Sequence, residues 1–319
     1  MTKLSDGAVR RLRDAADWPE FEGTRYEILE RIGQGDMGSV YLAEDIELRR
    51  RVALKVMRAP APHAESESRM RREAQVIARL EHPGIVPVHD IGTLADGRMF
   101  YVMKWVRGVD FESYVAGRSI PDLLRVFLKV CEAVAFAHEN GVVHRDLKPS
   151  NIMVGVFGEV LVLDWGVAKL VGEAPASSLA LPPLPPGMDA ITLDGAVVGT
   201  PGYMAPEQAS GNNALIDQRS DVYALGTILR HLLAGASSVP RPLAAISSQA
   251  VQQSPELRYG SVAALSADVL HYLDGEAVTA YHEGVFERTR RIFVRYRTPI
   301  LLVLAYLLMR GLLAVLARP

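Results

Sequence analysis

His144-Arg145-Asp146-Leu147-Lys148-Pro149-Ser150-Asn151 is the most informative stretch of the chain. Thirteen positions after Asn151, the apolar run Val160–Leu163 delivers Asp164-Trp165-Gly166. Asp146 can take the proton of an incoming hydroxyl, and Lys148 can neutralise charge on a transferring phosphoryl group. Asn151 and Asp164 offer hard oxygen ligands of the kind Mg²⁺ accepts when phosphate oxygens complete its shell. In-line positioning, with cations around the transferring oxygens, is most of what phosphoryl transfer asks of a protein.

Upstream, Gly33-Gln34-Gly35-Asp36-Met37-Gly38-Ser39-Val40 places glycines where backbone can approach phosphates closely. A glycine-rich hairpin of any β protein would look similar in isolation. Here strand-like segments flank the loop on both sides, whereas a dinucleotide fold begins a helix at the last glycine. The loop therefore reads as a flap over a nucleotide. Lys55 ends the apolar run Val52-Ala53-Leu54, where an ammonium is costly unless paired. A helix expected over 64–80 supplies the partner, because Glu73 shares an apolar stripe with Met70, Ile77 and Leu80. A Lys55–Glu73 pair would leave the lysine aimed at α- and β-phosphates.

Taken in order, the glycine loop, Val-Ala-Leu-Lys, His-Arg-Asp, Asp-Trp-Gly and Ala205-Pro206-Glu207 resemble the eukaryotic-like (Hanks-type) protein kinases. The similarity is strongest to their bacterial serine/threonine branch and covers about Tyr26 to Leu273. It implies an α+β, two-lobed protein-kinase fold. A β-rich N-lobe with one main helix would occupy 26–106. A mostly helical C-lobe would occupy 107–275, with an activation segment at 164–207. The implied chemistry uses ATP with Mg²⁺ (Mn²⁺ as the alternative) and Ser/Thr hydroxyls of protein substrates. Catalytic roles fall to Asp146, Lys148, Lys55 and Glu73, and metal binding to Asn151 and Asp164. Ile32, Gly33, Gly35, Gly38 and Val40 would cover the nucleotide, while Val40, Ala53 and Met153 would sandwich the adenine. Met103 would be the gatekeeper, followed by the hinge Lys104-Trp105-Val106.

The same resemblance implies a stacked column of Ile77, Val88, His144 and Trp165, with Asp221 holding the catalytic loop and Glu207 pairing with Arg258. Arg145 beside Asp146 resembles kinases switched by activation-loop phosphorylation, with Thr192 as the preferred autophosphorylation site. Thr200 is expected to hydrogen-bond near Asp146. A nucleotide-binding pseudokinase is the alternative reading, and a small-molecule phosphotransferase a third. The intact set Lys55, Asp146, Asn151 and Asp164 disfavours the former, and Ala205-Pro206-Glu207 the latter.

Four features depart from the family pattern. Trp165 replaces the usual Phe, Lys104 stands where an acidic residue is common, and 173–187 is proline-rich. Only 37 positions separate Asp221 from Arg258, so part of the substrate-docking face is expected to be missing.

The bulk composition fits this reading. Lys and Arg number 35 against 37 Asp and Glu, which excludes a chain-wide nucleic-acid footprint. A hydrophobic share of 49% supports a sizeable core. The single cysteine, Cys131, lies on an apolar helical stripe and is expected to be a plain core thiol. Residues 1–25 form a polar leader with a short helix at Gly7–Ala16. At the other end a basic juxtamembrane segment, 276–298, precedes the apolar stretch Pro299–Ala317. That stretch is long enough for a single transmembrane helix over 299–317 despite Arg310. Arg288, Arg290, Arg291, Arg295 and Arg297 before it put the kinase side in the cytosol by the positive-inside rule. The expected partners are thus protein substrates and the cell membrane, with a homodimer left open.

Overall fold

The computed structural model describes residues 18–35, 38–57, 64–165, 169–170, 200–211, 216–236, 238–295 and 297–316. The first lobe is a five-stranded antiparallel sheet of β1 (Tyr26–Gln34), β2 (Gly38–Asp45), β3 (Arg50–Met57), β4 (Val88–Thr93) and β5 (Met99–Lys104). Spatial order is β1-β2-β3-β5-β4. Strand alternation sends the two sets of β3 side chains in opposite directions. Val52, Leu54 and Val56 join Tyr26, Tyr41, Phe100 and Val102 in one buried cluster. Met57, on the other set, joins Met99 and Tyr101 in the main core with helix α1 (Ala64–Arg79). Met70, Ala74, Ile77 and Leu80 are the buried stripe that seats α1.

After β6 (Gly108–Asp110) and the single-turn α2 (Phe111–Tyr114), the second lobe is built on α3 (Ile120–Glu139). Ser119 caps its first turn, Pro121 lies in that turn, and Gly141 comes just past its end at φ 72°. Leu124, Phe127, Val130, Cys131 and Val134 are fully buried along its inner face. Each large apolar side chain so buried stabilises the lobe by about 1.5–3 kcal/mol. Strands β7 (Val142–Val143), β8 (Ile152–Gly155), β9 (Val160–Val162) and β10 (Lys169–Leu170) carry the loops between the lobes. Helices α4 (Pro206–Ala209), α5 (Gln218–Ala234), α6 (Arg241–Ala250) and α7 (Val262–Leu273) complete the lobe.

The shortened stretch between Asp221 and Arg258 is closed by direct packing of α5 on α6. A Cβ added at Gly226 would stand 2.5 Å from Ala250 Cβ and 2.9 Å from Val251 Cγ1, so glycine is what permits that approach.

Three boundaries differ from expectation. Residues 18–25, assigned to a leader, lie on the sheet: Trp18 meets Tyr41 edge-on at 5.4 Å and Phe21 meets Phe100 at 5.0 Å. The second lobe runs past 275, because the buried Asp268 carboxylate accepts from Thr279 N, Thr279 Oγ1 and Ala280 N. The third concerns the C-terminus. Among the described residues no helix is long and apolar enough to cross a membrane, so the transmembrane helix expected over 299–317 is not shown. Helix α8 (Val285–Arg295) leads into α9 (Arg297–Leu316), in which Arg310 interrupts the apolar run and Leu301, Leu304 and Leu308 are exposed. The short helix expected at 7–16 lies outside the described residues.

Candidate active site

Lys55 and Tyr101 face each other across β3 and β5, so both point to the same side of the sheet. On that side Lys55 Nζ donates to Glu73 Oε1 at 2.7 Å and to Asp164 Oδ1 at 2.9 Å. Tyr101 Oη donates to the same Glu73 oxygen at 2.8 Å. Burial would lower the Lys55 pKa, but Glu73 and Asp164 outweigh it and hold the ammonium well above its ordinary value. Burial likewise would raise Asp164, yet the Lys55 ammonium keeps it below the usual carboxylate range. The α1 helix is thus docked with its carboxylate on the lysine; burial pushes the Glu73 carboxyl above its ordinary value, against the opposing pull of the Lys55 ammonium.

The catalytic-loop sequence is shaped by one carboxylate. Asp221, fully buried in the first turn of α5, accepts from His144 N at 2.8 Å, Arg145 N at 2.9 Å and His138 Nε2 at 2.7 Å. These three bonds hold Arg145 in the left-handed region at φ 71°. Burial works to raise the Asp221 pKa, and the His138 hydrogen bond with the other donors overrides it and lowers it. Gln208 Nε2 donates to Arg145 O at 2.8 Å, tying the loop to α4 as well. His144 packs against Trp165 with centroids 4.5 Å apart and the ring planes tilted by 50°, and Trp165 is 1% exposed; Ile77 and Val88 belong to the same core.

At the loop's tip, Asp146 Oδ1 accepts from both Thr200 N and Thr200 Oγ1 at 2.8 Å. Lys148 Nζ lies 2.9 Å from Asp146 Oδ2 and 2.7 Å from Thr200 Oγ1. Asn151 Nδ2 donates to Asp146 O at 2.9 Å, which leaves its amide oxygen available as a ligand. Asp164, at φ 59°, has a half-exposed carboxylate. Glu207 is bridged to Arg258 by two bonds of 2.7 and 2.8 Å and accepts from Ser220 Oγ at 2.8 Å.

The nucleotide-covering residues fall on β1, β2 and the strands beneath. Gly33 pairs with Val40, and Val40 with Lys55; Ala53 pairs with Met103, at the end of β5. A Cβ at Gly38 would lie 2.1 Å from Val56 O, so this glycine is required by the sheet itself. Gly33 and Gly35 differ: a Cβ there meets nothing closer than 3.5 and 4.0 Å, so no neighbour among the described residues demands glycine. Glycine at these two positions fits a phosphate chain, which needs close backbone approach. Ile32 and Lys104 are exposed, Met153 and Trp105 half-buried, and Val106 buried.

The metal expectation rests on the chemistry of two donors. Among the described residues no group of three or more His, Cys, Asp or Glu could hold a metal ion by itself. A divalent ion at Asn151 and Asp164 would need phosphate oxygens to complete its shell, which is how Mg²⁺ enters nucleotide sites. Thr192, Gly166 and the proline-rich 173–187 lie outside the described residues.

Sequence reasoning missed Tyr101 and His138, which complete the Glu73 and Asp221 clusters. No motif marks either one. Only strand register and helix packing bring them there.

The comparisons with known proteins agree with this geometry. The "Protein kinase domain" family model matches residues 26–267. The chain is 36% identical over 299 residues to the serine/threonine-protein kinase PknD of Protochlamydia amoebophila, covering 79% of this chain and 30% of that protein. It is 33% identical over 328 residues to PknD of Chlamydia trachomatis serovar D, covering 87% and 34%. The chain therefore spans about a third of the length of these curated relatives. Among solved structures, the PknI kinase domain of Mycobacterium tuberculosis aligns with a TM-score of 0.56 at 29% identity, over 79% of this chain and 96% of that one. With the fold, the ordered motifs and these relatives in agreement, the chain belongs to the protein kinase domain family.

Proposed function

We propose that this chain is an active serine/threonine protein kinase that transfers the γ-phosphate of ATP to protein hydroxyls. The observation that carries the reading is at Asp146, where a threonine hydroxyl already reaches the carboxylate at 2.8 Å with Lys148 beside both. A substrate hydroxyl needs that same geometry to surrender its proton as it attacks. Lys55, held by Glu73 and Asp164, orients the phosphates under the Gly33–Gly38 flap, and Lys148 offsets charge on the transferring group. Asn151 and Asp164 would hold Mg²⁺ (or Mn²⁺), which would supply positive charge to offset that of the phosphates. Val40, Ala53 and Met153 would enclose the adenine against the hinge. The pseudokinase alternative is not favoured, since the paired lysine, the base and both ligands are present and assembled.

Regulation by phosphorylation at Thr192, read by Arg145, is part of the proposal and rests on the sequence. So does contact with a membrane through the C-terminal segment, with the lobes on the cytosolic side. Its support is the cluster of five arginines at 288–297 with exposed leucines beyond it.

The test is autophosphorylation of the full chain with Mg-ATP, beside Lys55→Met and Asp146→Asn, with phosphosite mapping of the products. Label in the wild type and in neither variant is expected, with Asp146→Asn still binding ATP. Turnover retained by Asp146→Asn would remove the base assignment. Mapping that finds phosphate only at Ser177 or Ser178 would remove Thr192.

A further inference from the structure

Behind the hinge, away from the catalytic loop, the β2–β3 turn and the β8–β9 turn enclose a groove of about 630 Å³. Its lining carries four arginines, Arg49, Arg50, Arg51 and Arg107, against Glu44 and Glu159. Glu159 is already engaged, accepting from Phe157 N at 3.1 Å. Two of the arginines are held in place by an aromatic platform: the guanidinium carbons of Arg107 and Arg51 lie 5.0 and 5.5 Å from the centre of the Trp105 ring. Stacking of this kind fixes a guanidinium through its face and leaves its N–H edge for an anion. Beside them Phe157 is 93% exposed and Val156 67%, on a turn closed by Gly155 N to Glu159 O at 2.8 Å. A phenylalanine displayed on a tight turn buries almost none of its apolar surface in this chain.

We propose that this groove docks an acidic segment of a partner protein, with carboxylates on Arg51 and Arg107 and an apolar residue on Phe157. Charge complementarity selects the occupant: a basic concavity with an apolar lip matches a short peptide of Asp and Glu around a bulky side chain. A long polyanion is the poorer match, because the chain as a whole carries as much acidic as basic charge. A bilayer is poorer too, since a flat surface does not fill a concave pocket. The docking does not depend on catalysis.

The probe is a fluorescein-labelled peptide of alternating glutamates with a central leucine, titrated into the full chain by anisotropy, with a lysine peptide of the same design as control. Wild type and Lys55→Met should bind the acidic peptide equally, with affinity falling as salt rises. Arg51→Glu/Arg107→Glu should weaken binding about tenfold or more while its affinity for ATP and its thermal midpoint stay put. Phe157→Ser should weaken it independently of salt. Equal binding of both peptides, or an affinity unchanged in the double variant, overturns the proposal. So does a double variant that loses only anionic-vesicle binding, which would assign the groove to a lipid surface.

Discussion

Replacing Asp221 by Asn is the sharpest probe of how the catalytic loop is held. The carboxylate takes three donors on two oxygens, and all of it is buried. An amide has one oxygen. If that oxygen keeps His144 N and His138, the new NH₂ faces Arg145 N, and a buried donor is orphaned at a cost of about 1–3 kcal/mol. The remaining bonds fall from charge-assisted to neutral, losing about 1 kcal/mol more each. The expected loss is about 3–5 kcal/mol, seen as a urea midpoint lower by about 1 M or more. Activity should fall further than stability explains, because Arg145 at φ 71° would relax and carry Asp146 out of place. The pH dependence has a definite sign. The folded pKa of Asp221 is depressed, so its contribution is fully present above the unfolded value of about 3.9 and is lost as pH falls through the folded value. The gap between wild type and Asp221→Asn should therefore be flat near neutrality and shrink in acid. A midpoint within about 0.2 M of wild type at neutral pH would refute the reasoning.

Two further substitutions test the structure elsewhere. Tyr101→Phe removes the second donor to Glu73 without touching Lys55, and should cost about 1.5–3 kcal/mol in stability together with a fall in kcat, read by thermal melts and steady-state kinetics; unchanged values for both would make the hydroxyl incidental. Gly226→Ala drives a methyl into Ala250 and Val251 where α5 meets α6, and should destabilise by about 1–3 kcal/mol in chemical denaturation; a neutral result would show that the shortened lobe is loosely closed.

Much of the site is legible in the sequence because its chemistry is local. A lysine ending an apolar strand, a glutamate on an apolar helical stripe and an aspartate beside a lysine each carry their own physical warning. The glycine flap can be told from a dinucleotide loop by what flanks it. The adenine-side residues and the Asp221 and Glu207–Arg258 supports come through family resemblance, and the structure brings each of these supports to its partner. The expected membrane span illustrates the limit of composition, since the apolar run is read through Arg310 while the described helices hold none long and apolar enough to cross.

The linear chain determined the inventory and its order: which residues can move a proton, offset a phosphate or hold a hard cation. Those are properties of single side chains and short periodicities. Tertiary structure decided the partnerships. Tyr101 reaches Glu73 only because β5 pairs with β3 in a register that sets it opposite Lys55. His138 and Asp221 are brought together only by the packing of α3 against α5. Arg51 of β3 and Trp105 of the hinge come together in space, although nothing in the sequence pairs them. Contacts between residues far apart in sequence leave no local pattern, because they depend on which faces the whole fold turns toward one another.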